Sequence, residues 1–215
     1  PPRSTPLYSS AASDVYKRQI QYLRDKGARI ILCSHRGRPA GQIVEELRND
    51  LVAKHLSSLL GTVVKACPVS IGPQAQDDTD ALEPGELLLL ENVRFHAEEE
   101  DNDDVFAQQL ASLADIYVSD AFGTSHRIHS SNSIITDYFD QKCIGYLIEN
   151  EIKNINKILY KKSKPFTAIL GGSKVSDKIL LIEKLINYVD NIIIGGAMSL
   201  SLIHISEPTR LGMIS

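Results

Sequence analysis

ARIILCSHRGRP, Ala28–Pro39, decides how this chain reads. Its first half, ARIILC, is a short apolar run of the length and composition of a strand buried on both faces. Its second half, SHRGRP (Ser34–Pro39), puts one histidine and two arginines into six residues with no acid among them. In an open α/β sheet, ligands bind beyond the carboxyl ends of the strands. A cationic loop at the end of a buried strand is therefore a candidate anion site.

The neighbouring segments fit that frame. Upstream, IQYLRDKG reads as the end of a helix closed by Gly27. Downstream, VEELRNDLVAKHLSSLLG sets Val44, Leu47, Leu51, Leu56, Leu59 and Leu60 near one helical face, with Gly61 as its stop signal. ELLLLENVRF is the next strong strand, and DIYVSDAF is another that runs into a loop. The acidic run Glu98–Asp104 reads as a solvated turn. Its acids sit favourably before a helix starting near Val105, where the helix dipole is positive. GYLIENEIKNINKILYKK reads as a long helix. PFTAILGG, KILLIEKLINYV and NIIIGG then form a second strand–helix–strand unit. Strands alternating with helices predict an α/β fold with parallel sheets and α/β/α layers, in two Rossmann-like domains of which the second is only begun.

Composition narrows the function. With 43% hydrophobic and 23% charged residues, the 215-residue chain is an ordinary globular sequence. Its net charge of -4 argues against a nucleic-acid partner, which favours a basic excess. No apolar run approaches the ~18 residues of a membrane span. Cys33, Cys67 and Cys143 are far apart and form no CxxC pair, which predicts buried, unpaired thiols in a reducing compartment.

The ends differ from the middle. PPRSTPLYSSAASDVYKRQ (1–19) and SLIHISEPTRLGMIS (201–215) read as non-native, adapter-derived sequence, and a transit peptide is the alternative for the first. The expected organisation is a first domain over 20–143, a bridging helix over 144–162 and the start of a second domain over 163–200.

Three basic groups follow three strands: His35 and Arg38 after ARIILC, Arg94 after ELLLLENV, and His126, Arg127 and His129 after DIYVSDAFGTS. Brought to one sheet edge, they would hold a small, multiply charged anion, because the arginine fork binds carboxylate and phosphate bidentately. His55, inside a periodic helix, reads as a surface residue, and His96 as a packing one. No metal-ligand spacing occurs among the histidines, cysteines and acids. ILGGSKVSDK (Ile169–Lys178) is a second candidate. Its glycines admit a ligand to the backbone, Ser176 can cap the next helix, and Lys174 and Lys178 add charge where helix N-termini attract phosphate. A turn carrying two surface lysines is the competing reading. IIIGGAM, with Gly195 and Gly196, would let a flat ligand approach the chain.

SHRGRP, LLLENVRFHAEEE, DAFGTSHRIHSS, ILGGSKVSDKI and IIIGGAM, in this order, resemble the phosphoglycerate kinase family across Ile20–Met198. The resemblance implies that Ser34, His35, Gly37, Arg38, Arg94, His126 and Arg127 bind 3-phosphoglycerate or 1,3-bisphosphoglycerate. It implies that Gly172, Ser173, Lys174, Lys178, Gly195, Gly196 and Ala197 bind ADP or ATP, with Lys178 following the transferred phosphoryl group. Ser173 and Ala197 stand where the family often has alanine and glycine. A cytoplasmic monomer using Mg²⁺ with its nucleotide is also implied. The family's VDxNVP strand, a substrate-binding arginine (Arg18 is not assigned to it) and the acid that holds Mg²⁺ are not found. The alternative is accordingly an inactive fragment that at most binds phosphoglycerate. A dinucleotide-dependent oxidoreductase is disfavoured because GxGxxG is missing.

Overall fold

The computed structural model describes residues 10–160, 164–171 and 179–196. Two compact units divide between Glu151 and Ile152. The first unit is built around the leucine run. Helix α1 (Ser10–Asp25) leads into strand β1 (Ile30–Leu32), and helix α2 (Asp50–Leu60) leads into β2 (Val64–Ala66). Helix α3 (Pro73–Asp80) then precedes β3 (Leu87–Leu89). The three strands are parallel in the order β1-β3-β2, with Ile30 opposite Leu87 on one side and Val64 opposite Leu87 on the other.

Side chains alternate across a strand, and that explains why four leucines in a row are needed. Leu87 and Leu89 pack with Ile20 of α1 and with Ala53 and Leu60 of α2. Leu88 and Leu90 face the other way, into a cluster with Ala75 of α3, Phe106 and Leu110. All four are at most 2% exposed, and burying each stabilises the fold by roughly 2 kcal/mol. A central parallel strand covered on both faces is the α/β/α layering expected from the sequence.

The short helices α4 (Ala97–Glu100) and α5 (Asp104–Ala111) follow, then β4 (Ile116–Ser119) and β5 (Gln141–Ile144), which pair in parallel. Asp103 caps α5, accepting a hydrogen bond from Phe106 N at 2.8 Å, so the acids before Val105 do what their position suggested. Helix α6 (Tyr146–Tyr160) spans the boundary between the units. The second unit has β6 (Thr167–Gly171), α7 (Ile179–Ile186) and β7 (Asn191–Gly195), with the strands again parallel and in register from Thr167–Asn191 to Gly171–Gly195.

Four expectations need correction. The helix expected from Val44 begins only at Asp50, after a 3-10 turn at Glu45–Leu47. Glu91 explains the delay: its carboxylate accepts a hydrogen bond from Asn49 N at 2.8 Å and fixes the helix start there. The inward face is then Ala53, Leu56 and Leu60, while Leu51 and Leu59 are exposed. ELLLLENVRF is a strand only through Leu89, and Val93–Phe95 is a 3-10 turn capped by Asn92. The acidic run is no solvated turn at its start, because Glu99 on α4 is 2% exposed. Of the thiols, Cys67 is buried but Cys33 and Cys143 are exposed.

Candidate functional site: a cationic pocket beyond β1 and β4

The turn after β3 sets the frame. Asn92 is fully buried and uses every polar atom of its amide. Nδ2 donates to Arg36 O at 2.8 Å and to Leu47 O at 3.1 Å, while Oδ1 accepts from Arg36 N and Arg94 N, both at 3.2 Å. Glu91 accepts from Asn49 N and Asn92 N through Oε1 and from Arg48 Nη1 at 3.0 Å through Oε2. Ser34 Oγ accepts from Asn49 Nδ2 at 3.3 Å. The SHRGRP loop is thus tied by hydrogen bonds to segments far along the chain. Gly37 is required where it stands: its φ is +66°, and a Cβ there would lie 2.8 Å from the Leu47 side chain.

Arg94 is 4% exposed. Burying a guanidinium is costly unless its donors are engaged. Here Nη1 donates to Gly37 O at 2.9 Å, and Nε lies 3.2 Å from Glu100 Oε1, an ion pair without hydrogen-bond alignment. Together with His35, Arg38 and Arg127, Arg94 lines an open cavity of about 510 Å³. Its floor is the turn Ala121–Thr124 after β4, and Tyr16 and Leu147 complete the wall. Burial first, then the neighbouring Arg94 and Arg127 cations and His129, hold the His35 imidazole below its usual range. His129 is lowered likewise, by burial and then by Arg94, with Glu100 opposing. Three guanidiniums at the wall, and two imidazoles held below their usual range by burial and by Arg94, leave a cavity that favours an anion.

Four of the seven residues expected to bind phosphoglycerate therefore line one cavity: His35, Arg38, Arg94 and Arg127. Ser34 and Gly37 shape the loop that carries His35 and Arg38. His126 is exposed and does not line the cavity, although it faces His129 closely enough to bear on its protonation. His55 is exposed and His96 packs against Phe106 with the rings tilted and their centroids 5.0 Å apart, both as expected. Of the glycine loops, Gly195 ends β7 and Gly196 follows it, and no described residue comes within 4 Å of where a Cβ would stand on either. Gly172, Ser173, Lys174, Ser176, Lys178 and Ala197 lie outside the described residues. The sequence reading missed Tyr16, in the stretch it set aside. It also missed Glu91 and Asn92, which it took for strand, and Glu99 and Glu100, which it took for solvated acids. Three acids in a row at the start of a helix can be seen in sequence, but not which of them turns inward.

A parallel α/β domain with an arginine-lined cavity at the carboxyl ends of its strands defines a binder of small oxyanions. The chain matches the family described as phosphoglycerate kinase over residues 13–212. It is 53% identical over 180 residues to the phosphoglycerate kinase of Moorella thermoacetica, covering 84% of this chain and 46% of that protein. It is 49% identical over 179 residues to that of Gloeothece citriformis, covering 83% and 45%. Among solved structures, it resembles the phosphoglycerate kinase of Coxiella burnetii (TM-score 0.75, 36% identity, 87% of this chain and 47% of that one). It also resembles that of Pyrococcus horikoshii (TM-score 0.80, 28% identity, 93% and 51%). The chain belongs to the phosphoglycerate kinase family, and spans about half the length of the relatives it matches.

Proposed function

We propose that this chain carries the phosphoglycerate-binding half of a phosphoglycerate kinase. The whole protein would transfer the acyl phosphoryl group of 1,3-bisphosphoglycerate to ADP, giving 3-phosphoglycerate and ATP. The observation that carries this reading is the convergence of His35, Arg38, Arg94 and Arg127 on one cavity. Phosphoryl transfer asks for positioning and charge stabilisation more than covalent help. Arginine forks supply both for a ligand with a carboxylate at one end and a phosphate at the other. Arg94, held from behind by Gly37 and Glu100, offers a pre-oriented guanidinium and loses little freedom on binding. Lys174 and Lys178 are assigned to the nucleotide phosphates on sequence resemblance, with Lys178 following the group in transfer.

ADP and ATP bring Mg²⁺ in this reading. Among the described residues no group of three or more His, Cys, Asp or Glu could hold a metal ion. The proposal further makes the protein a monomer of the cytoplasm without nucleic-acid or membrane partners, in keeping with its net charge of -4. No described helix is long and apolar enough to cross a membrane.

Two measurements test the reading on the 215-residue chain. Calorimetric titration with 3-phosphoglycerate should show a Kd of about 1 mM or tighter, lost in Arg94→Ala. No binding in that range overturns it. A coupled assay for ATP formation then separates a complete catalyst from a chain that binds without turning over. The span of about half a relative's length favours binding without turnover.

A further inference from the structure

The residues that touch the cavity are held by two that do not. Glu99 and Glu100 are neighbours on α4, and their carboxylates reach opposite walls. Glu100 pairs with Arg94 at 3.2 Å. Glu99 turns inward to the loop after β4: Oε2 accepts from Ser131 N at 2.9 Å, Oε1 accepts from Ser131 Oγ at 2.6 Å, and His129 Nδ1 lies 3.8 Å from Oε1. The backbone of α4 adds to the grip. Ser130 N donates to Glu99 O at 2.9 Å, and the fully buried Ser130 Oγ donates to Glu98 O at 2.7 Å. The held turn then reaches the cavity floor, since Asn132 Nδ2 donates to Thr124 O at 2.9 Å. That same carbonyl accepts from Arg127 N at 2.9 Å.

We propose that Glu99 and Glu100 are positioning residues that hold the two cationic walls of the pocket in register, Glu100 through Arg94 and Glu99 through the His129–Asn132 turn, which shares the Thr124 carbonyl with Arg127 N. The proposal rests on the oxyanion-binding reading for its consequence but not for its mechanics. A buried carboxylate with two hydrogen bonds from one serine and an imidazole beside it is an expensive arrangement merely to fill space. An apolar side chain would pack there more cheaply. What it supplies is a fixed distance. Arg94 belongs to the turn after β3 and Arg127 to the loop after β4, and these strands lie in separate sheets that share no ladder hydrogen bonds. Helix α4 bridges them. If the bridge slackens, each arginine keeps its charge but the pair loses the spacing that a bidentate ligand needs.

The test uses the 215-residue chain, with amide hydrogen exchange and calorimetry on Glu99→Gln, Glu99→Ala, Ser131→Ala and Glu100→Gln. Ser131→Ala removes one donor from the bridge and touches nothing in the pocket. It should raise exchange at residues 129–133 about tenfold while α2 (Asp50–Leu60) is unchanged, and should weaken 3-phosphoglycerate binding by about five- to tenfold. Glu99→Gln keeps one carbonyl acceptor and should fall between wild type and Glu99→Ala. That partial rescue would not follow if any substitution simply loosened the core. Glu100→Gln should weaken binding without changing exchange at residues 129–133. Unchanged exchange in both Ser131→Ala and Glu99→Gln overturns the proposal. If the wild type binds no 3-phosphoglycerate, the functional reading falls, and the exchange data still decide whether the bridge exists.

Discussion

Gly145 is pressed against the Asp120 side chain. A Cβ on Gly145 would stand 2.6 Å from both Cβ and Oδ1 of Asp120. The approach lets Asp120 Oδ1 accept a hydrogen bond from Ile148 N at 3.0 Å, so the residue that follows β4 caps the first turn of α6. Tyr16 Oη donates to the Asp120 carbonyl at 3.3 Å, bringing the same residue to the pocket wall. Gly145→Ala should therefore lower stability by about 2 kcal/mol through overpacking alone. Thermal unfolding should shift down by about 6 °C. In an Asp120→Gly background the same substitution should cost far less, because the clashing atoms are gone, whereas Asp120→Ala keeps the Cβ at 2.6 Å and should relieve only part of the cost.

Asn92→Ala should be more damaging than its single amide suggests. It would strand the carbonyls of Arg36 and Leu47 and the amides of Arg36 and Arg94 around the space left by a fully buried side chain. Each buried polar group left unpaired costs about 1–3 kcal/mol, partly relieved by relaxation. A total loss of about 3 kcal/mol in urea unfolding is expected, with the SHRGRP loop losing amide protection first. Asn92→Asp, which keeps the acceptor oxygen but loses two donors, should recover only part.

Arg94→Lys tests shape against charge. Lysine keeps the positive charge but loses the planar fork that donates to Gly37 O while facing the cavity. Affinity for 3-phosphoglycerate should drop about tenfold, within the range for one charge-assisted hydrogen bond. Arg38→Lys should cost less, since Arg38 is not buried as Arg94 is. Equal losses at the two positions would mean that net charge alone selects the ligand.

What could be read in the sequence, and what could not, follows from range. The leucine run announced β3 because a doubly covered strand must be apolar at every position, and Gly61 announced the end of α2 because its φ of +64° suits glycine. Arg94 and Arg127 stood out because cations after strands are a local pattern. Glu91, Asn92 and Glu99 did not. Their partners lie 42, 56 and 32 residues away, and no spacing rule shows a polar side chain that turns inward. The boundary of α2 failed for the same reason: periodicity ran on through Val44–Arg48, and a distant glutamate decided where the helix began.

The two lowered imidazoles give opposite pH dependences for stability and for binding. Burial and the Arg94 and Arg127 cations hold His35 and His129 below the ordinary 6.5 in the free protein. Between that value and their folded values, the folded state binds fewer protons than the unfolded chain, so stability is full above pH 6.5 and declines as pH falls below it. A dianion between the arginines reverses the local field and favours the imidazolium, so binding takes up protons and tightens over the same interval. Sulfate is the suitable probe, because it stays dianionic here whereas a phosphate monoester protonates near pH ~6. Thermal unfolding of the free protein should move down from pH 7 to 5.5, while the stabilisation given by a fixed sulfate concentration should grow. His35→Gln should shrink both slopes. A sulfate-induced stabilisation that stays flat or shrinks as pH falls would mean that the imidazoles do not face the anion.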